Sequence, residues 1–151
     1  KKYLSHAFSY CFKNSNKEYP AILKMNLIKN NFLIKSGKKN IKVRSVKVEH
    51  GRVNSMCYIF EKKLAYISDV SKIYKKDYRF FKNLKYLIID CLWYKNHPSH
   101  LNLEKSLQLI KIFSPKKAVL TNLHSELDYK ILRKKLPKNV VPAYDGLKLY
   151  F

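Results

Sequence analysis

Glycine is scarce. Only Gly37, Gly51 and Gly146 occur in 151 residues, and they lie far apart. A P-loop or a G-x-G-x-x-G fingerprint is therefore excluded, because both need clustered glycines to bring backbone against phosphate. Cysteine is scarce too. Cys11, Cys57 and Cys91 are odd in number, widely separated and never in a C-x-x-C. That excludes a paired disulfide framework and a cysteine zinc knuckle, and it suits a reducing cytoplasm. No apolar run approaches the ~20 residues of a membrane helix. No small-residue cleavage pattern follows Lys1-Lys2-Tyr3-Leu4, so the start does not read as a signal peptide. An RNP-type aromatic motif and a zinc finger are also absent. Acidic residues are few, 10 Asp and Glu against 32 Lys and Arg, for a formal net charge of +22.

What is present is enough apolar material for a core. Hydrophobic residues make up 46% of the chain and aromatics 14%, which argues against disorder. The length suits one domain or a large piece of one. The charge has two readings. One is an anionic partner such as nucleic acid. The other is a compositional bias toward Lys, Asn, Ile and Tyr, with lysines spread along the whole chain.

The order of elements is legible from periodicity and turn residues. Lys1 to Phe12 reads as the tail of a helix, and Asn14 to Pro20 as a polar connector. Ala21–Ile28 and Asn31–Lys35 read as short strands, Ser36–Asn40 as a turn around Gly37, and Ile41–Val48 as an alternating strand. Ser55–Phe60 and Leu64–Ser68 read as a hairpin around Glu61-Lys62-Lys63. Val70–Asn83 suggests helical turns. Tyr86–Ile89 is a short apolar run, a buried strand leading into a proline-broken loop with His97 and His100. Asn102 can cap a helix carrying Leu103, Leu107 and Ile110, which Pro115 ends. Lys117–Thr121 is a further strand, Glu126–Leu136 a helix closed by Pro137, and Val140-Val141 and Leu147–Phe151 closing strands around the Tyr144-Asp145-Gly146 turn. The sum is an α/β chain, β-rich in its first half and built of βα units in its second. No linker or repeat divides it.

His50, Asp69, the His97/His100 loop and His124 each sit just past a strand-like run. Singly they mean little: Asp69 could be a helix cap, Asp145 a turn residue, His97 an ordinary loop residue and His6 a surface histidine. Together they form a ligand set. Neutral imidazole and carboxylate suit Zn, Mn or Fe, and a carboxylate can bridge two ions about 3.5–4 Å apart in phosphate-ester hydrolases.

Taken in order, Val48-Glu49-His50-Gly51, Tyr66-Ile67-Ser68-Asp69-Val70, Asp90-Cys91-Leu92, His97-Pro98-Ser99-His100, Leu120-Thr121 to Asp128-Tyr129, and Tyr144-Asp145-Gly146-Leu147 resemble one branch of the metallo-β-lactamase fold. The branch is the one similar to phosphoribosyl cyclic phosphate phosphodiesterase, with ribonuclease Z a more distant relative. The resemblance covers about Phe8 to Phe151. It implies an αββα metallo-β-lactamase-like fold, here a partial sandwich, and a metal-dependent phosphodiesterase with two divalent ions, Zn or Mn. By the resemblance His50 is a metal ligand, Asp69 the bridging carboxylate, and His100 the histidine that serves the leaving group, with His97 as its rival. The family's last ligand often follows the Thr of the L-T segment directly. Here that place holds Asn122, and His124, two residues on, is taken as the ligand. Asn122 and Asp145 then stand beside the ligands in support.

The family's H-x-H-x-D-H motif is absent and would lie upstream of Lys1. Residues 1–151 are then expected to be a single partial domain, the carboxyl-terminal portion of a longer cytoplasmic enzyme acting on a small phosphodiester. The chain alone is expected to be inactive. Nucleic acid as a partner, a homodimer, a basic binding module without chemistry and an inactive remnant of the fold stay open as alternatives.

Overall fold

The structure, a computed structural model, describes residues 2–13, 18–37 and 39–151. The connector expected over Asn14–Pro20 falls outside the described residues for 14–17, and the turn around Gly37 does so at Lys38.

One seven-stranded sheet organises the chain, its strands in sequence order from edge to edge. Strands β1 (Asn31–Ser36), β2 (Lys39–His50), β3 (Val53–Phe60) and β4 (Leu64–Ile67) form an antiparallel meander. Strands β5 (Tyr86–Asp90), β6 (Lys117–Thr121) and β7 (Val140–Pro142) then continue in parallel from β4. The meander needs only short turns, whereas each parallel step needs a crossover. A 3-10 turn (Lys75–Phe80) lies in the first crossover. Helices α3 (Leu103–Phe113) and α4 (Tyr129–Lys135) make the second and third. Two short amino-terminal helices, α1 (Lys2–Ala7) and α2 (Ser9–Phe12), precede the sheet. The partial sandwich implied by the resemblance is thus one mixed sheet with its helices.

The core forms where alternate residues of the strands meet the crossovers. Cys57, Ile59, Ala65, Ile67, Leu87 and Ile89 are all buried and belong to one cluster with Ile110, Phe113 and Leu132 of the helices. Phe113 stacks on Phe81 and meets Tyr78 edge to face, with ring centroids 5.4 and 5.0 Å away. Helix α3 begins where Asn102 Oδ1 accepts the Lys105 N–H at 2.9 Å, and it ends at Ser114 in the left-handed region, just before Pro115. Helix α4 is capped in the same way by Asp128.

Three expectations need correction. Ala21–Ile28 is not a strand: its Ile22, Leu23, Leu27 and Ile28 are exposed, and the β2 edge is already taken by β1. Leu147–Phe151 is not one either, because the ladder beside β6 ends with β7 and the tail leaves Tyr150 exposed. The helix expected from Glu126 starts at Tyr129, since Asp128 caps it there. Among the described residues no helix is long and apolar enough to cross a membrane.

All three cysteines are free and buried. Burial pushes the Cys57 thiol far above its ordinary value and that of Cys91 up to about 12. Only the thiolate is alkylated. Cys57 and Cys91 in the folded protein are therefore expected to react with iodoacetamide at pH 8 at least ~10²-fold more slowly than in denaturant. Peptide mass mapping checks this. Fast modification in the native state, or an intramolecular disulfide, would contradict it.

Candidate metal centre

Strand direction builds the site. Strand β2 is antiparallel to β3, and β3 to β4, so β2 points the same way as β4, β5, β6 and β7. Their carboxyl ends share one edge of the sheet, the usual place for a ligand crevice in open α/β sheets. His50 is the last residue of β2, Asp69 lies two residues past β4, Asp90 ends β5, and Asn122 follows β6 directly.

At this edge His50, Asp69 and His100 each offer a ligand atom, and those atoms lie within 4.8 Å of one another. The two imidazoles meet edge to face, their centroids 4.7 Å apart. Each is oriented through Nδ1. His50 Nδ1 donates to the Ser99 carbonyl at 2.8 Å, and His100 Nδ1 bonds Asp90 Oδ2 at 2.9 Å. Both rings then carry a lone pair on Nε2 when neutral. A carbonyl or carboxylate behind the ring is the support that metal-binding histidines ordinarily have. Asp69 is exposed, with only Ser68 Oγ among the described residues bonded to its carboxylate, at 3.2 Å. Two supported imidazoles and one uncommitted carboxylate are a donor set that fits a divalent ion.

Asp90 is the residue that sequence reasoning left out of the site. It is fully buried. Besides His100 it accepts the Leu101 N–H at 3.0 Å and an Asn122 Nδ2–H at 3.0 Å. Burial pushes its carboxyl above the ordinary value, opposed by the Leu101 N–H, His100 and Asn122. Ser106 of α3 donates to the Asp90 carbonyl at 2.6 Å, tying the helix to the end of β5. The available signal was an acid closing an apolar run directly before a histidine loop.

The other expected residues spread around this group. Asn122 lies in the left-handed region and also donates to the Ser68 carbonyl, so it staples the ends of β4, β5 and β6 together. The His97 ring is 5.3 Å from that of His100 and accepts the Ser99 N–H through Nδ1. His124 is exposed and lies outside the three-residue group. Its ring stacks on Trp93 at 5.2 Å, its Nδ1 accepts the Glu126 N–H, and its backbone N–H bonds the Leu92 carbonyl. Trp93 is held in turn by Glu126 Oε2 at 2.7 Å. Asp145 is exposed on the wall of a small hollow of about 210 Å³ beside Asn122.

Gly51 closes the β2–β3 turn with φ +61°, and a Cβ there would sit 3.2 Å from Ser99 Cβ and Oγ. Any side chain would push on the residue whose carbonyl orients His50. Gly51→Ala is expected to lower stability by about 1–2 kcal/mol from the left-handed backbone alone, with steric pressure on Ser99 added. Urea unfolding checks this, and an unchanged midpoint would show that the loop yields freely.

The chain has the metallo-β-lactamase fold. It overlays a new diphosphatase from the PhnP family with a TM-score of 0.83 and 27% identity, over 98% of this chain and 53% of that one. It also overlays the metallo-β-lactamase fold protein YhfI from Bacillus subtilis (TM-score 0.67, 18% identity, 95% and 61% of the two chains). The short form of human tRNase Z gives a TM-score of 0.55 at 15% identity, over 78% and 46%. In sequence, 112 residues, 72% of this chain, are 29% identical to 22% of an octanoyltransferase from Porphyromonas gingivalis strain W83. No family model matches the chain. An isothiocyanate hydrolase (TM-score 0.61, 12% identity) shares the fold too, and the chain spans about half the length of the diphosphatase.

Proposed function

We propose that the chain carries part of the active site of a metal-dependent phosphodiesterase, as a single partial domain from the carboxyl-terminal portion of a longer cytoplasmic protein. The observation that carries this reading is the convergence of His50, Asp69 and His100 at the carboxyl edge of the sheet. The likeness to a PhnP-family diphosphatase supports phosphate chemistry. Support for a partial domain comes from the sheet itself. Ala65 and Ile67 turn into the core, while Tyr66 between them and Met56 on the neighbouring strand are 41% and 40% exposed. That face is suited to a further layer of protein.

In this reading His50 and Asp69 hold divalent metal, Zn or Mn, and further ligands come from outside this chain. Bound there, two such ions supply Lewis-acid polarisation of a phosphoryl oxygen and activation of water. Asp90 fixes the His100 ring through Nδ1 so that Nε2 faces the group, and in the imidazolium form Nε2–H is the proton given to the leaving oxygen. His97 is the alternative donor from the same loop. His124, its Nδ1 on the Glu126 N–H and its ring on Trp93, is the further candidate ligand from this chain. Asn122 holds the strand ends in register, and Asp145 lines the approach beside it.

The test is turnover of bis(p-nitrophenyl) phosphate and of a cyclic ribose phosphate by the full-length protein, with Zn or Mn and then with EDTA. Metal-dependent hydrolysis of a diester is expected. No turnover of any diester with either metal would reject the proposal.

A further inference from the structure

A second cavity lies at the opposite end of the sheet. Its volume is about 880 Å³, within the roughly 300–1,000 Å³ of small-molecule sites. It is lined at Val43, near the start of β2, seven residues before His50. At about 3.3 Å per residue that is roughly 23 Å from the metal centre, so one small ligand cannot occupy both.

The walls carry Lys42, Arg44, Lys62, Arg79 and Lys82, with Glu61 the one acid among the lining residues. Glu61 accepts the backbone N–H of Lys42. The ion pairs among the described residues are Lys72–Glu49 and His100–Asp90, so none of the five cations is neutralised by a carboxylate there. The same cavity has an aromatic lining. Phe80, with Arg44 over its ring, lies on the sheet face of buried Ile59, and buried Leu84 lines the cavity too, while Phe32, opposite Val43, packs against Tyr58 on the other face. The Arg44 and Arg79 guanidinium carbons lie 4.3 and 4.9 Å from the centre of the Phe80 ring. A guanidinium stacked on a ring still has N–H groups free, in the fork geometry that takes phosphate oxygens two at a time. Aromatic surface and unpaired guanidinium groups side by side suit a ligand that joins a flat ring to a phosphate.

We infer that this cavity binds a nucleoside phosphate, its base against Phe80 and its phosphate on Arg44 and Arg79. The site is separate from the metal centre, and its occupancy needs no metal.

Isothermal titration of the full-length protein with AMP, adenosine and inorganic phosphate, at fixed ionic strength with EDTA present, tests this. AMP is expected to bind at least tenfold more tightly than either part. The double change Arg44→Gln/Arg79→Gln is expected to weaken AMP at least tenfold. The double change Lys130→Gln/Lys134→Gln on α4, which removes the same charge elsewhere, should change it less than twofold. Arg79→Gln alone, at an exposed position, serves if the first double variant does not fold. Nuclear Overhauser contacts between adenine and the Phe80 ring provide a readout that does not depend on substitution. Pentaadenylate separates two sources of the same chemistry: tenfold tighter binding than AMP points to a strand, and equal binding to a free nucleotide. AMP binding no better than phosphate, equal weakening by the α4 control, or bound AMP without Phe80 contacts would overturn the inference. Because EDTA is present throughout, such a failure leaves the metal-centre reading untouched.

Discussion

Asp69→Ala in the full-length protein is expected to lose most of its bound metal and its diester hydrolysis together, with almost no loss of stability. The stability part follows from exposure. Among the described residues the Asp69 carboxylate is bonded only by Ser68 Oγ, and surface changes of this kind usually stay within about 0.5 kcal/mol. The functional part follows from the donor set, in which Asp69 is the one carboxylate alongside His50 and His100. Without it His50 keeps no anionic oxygen beside it to offset a divalent charge. Lewis-acid stabilisation is worth several kcal/mol, so kcat is expected to fall by about 10³-fold or more at roughly 1.4 kcal/mol per tenfold. Metal analysis of the dialysed protein, kcat and the unfolding midpoint decide it together. A variant with full metal and full activity would remove Asp69 from the site. A variant that simply unfolds would show that Asp69 has a structural role its exposure does not reveal.

His100→Ala is expected to separate the two quantities that Asp69→Ala lowers together. A positioned general acid contributes about 10²–10⁴-fold, and a loss in that range is expected in kcat, with metal content much less affected. The geometry behind this is the Asp90–His100 pair. Asp90 is fully buried and fixed by the Leu101 N–H, Asn122 and His100, so the ring it holds has little freedom to turn. Asp90→Asn keeps the shape but puts an amide where the Nδ1 partner was a carboxylate. It too is expected to lower kcat, at retained metal, by disturbing the tautomer that presents Nε2. His97→Ala is the control from the same loop. Loss of metal along with activity in His100→Ala would make His100 a ligand instead of a proton donor. Full activity in His100→Ala with loss in His97→Ala would move the role to His97.

The features that the sequence by itself determined are local ones. The hydrophobic run of β5, the Asn102 cap of α3 and the Glu61-Lys62-Lys63 hairpin turn are written in neighbouring residues, and each formed where the pattern placed it. Asp69 likewise stands just past β4, and His50, expected just past a strand, is the last residue of β2. Ala21–Ile28 carries the same apolar signal as a strand but has no ladder to join, because β1 occupies that edge of β2. Strand formation depends on a partner far away in sequence, which periodicity cannot supply. Only the tertiary structure decided that the β2, β4 and β5 ends meet, that His100 and not His124 closes the three-residue group, and that Asp90 stands behind His100. Those outcomes depend on strand direction across the sheet and on hydrogen bonds made by a buried acid. Burial and direction are properties of the assembled chain, because they are fixed only when residues distant in sequence exclude water together.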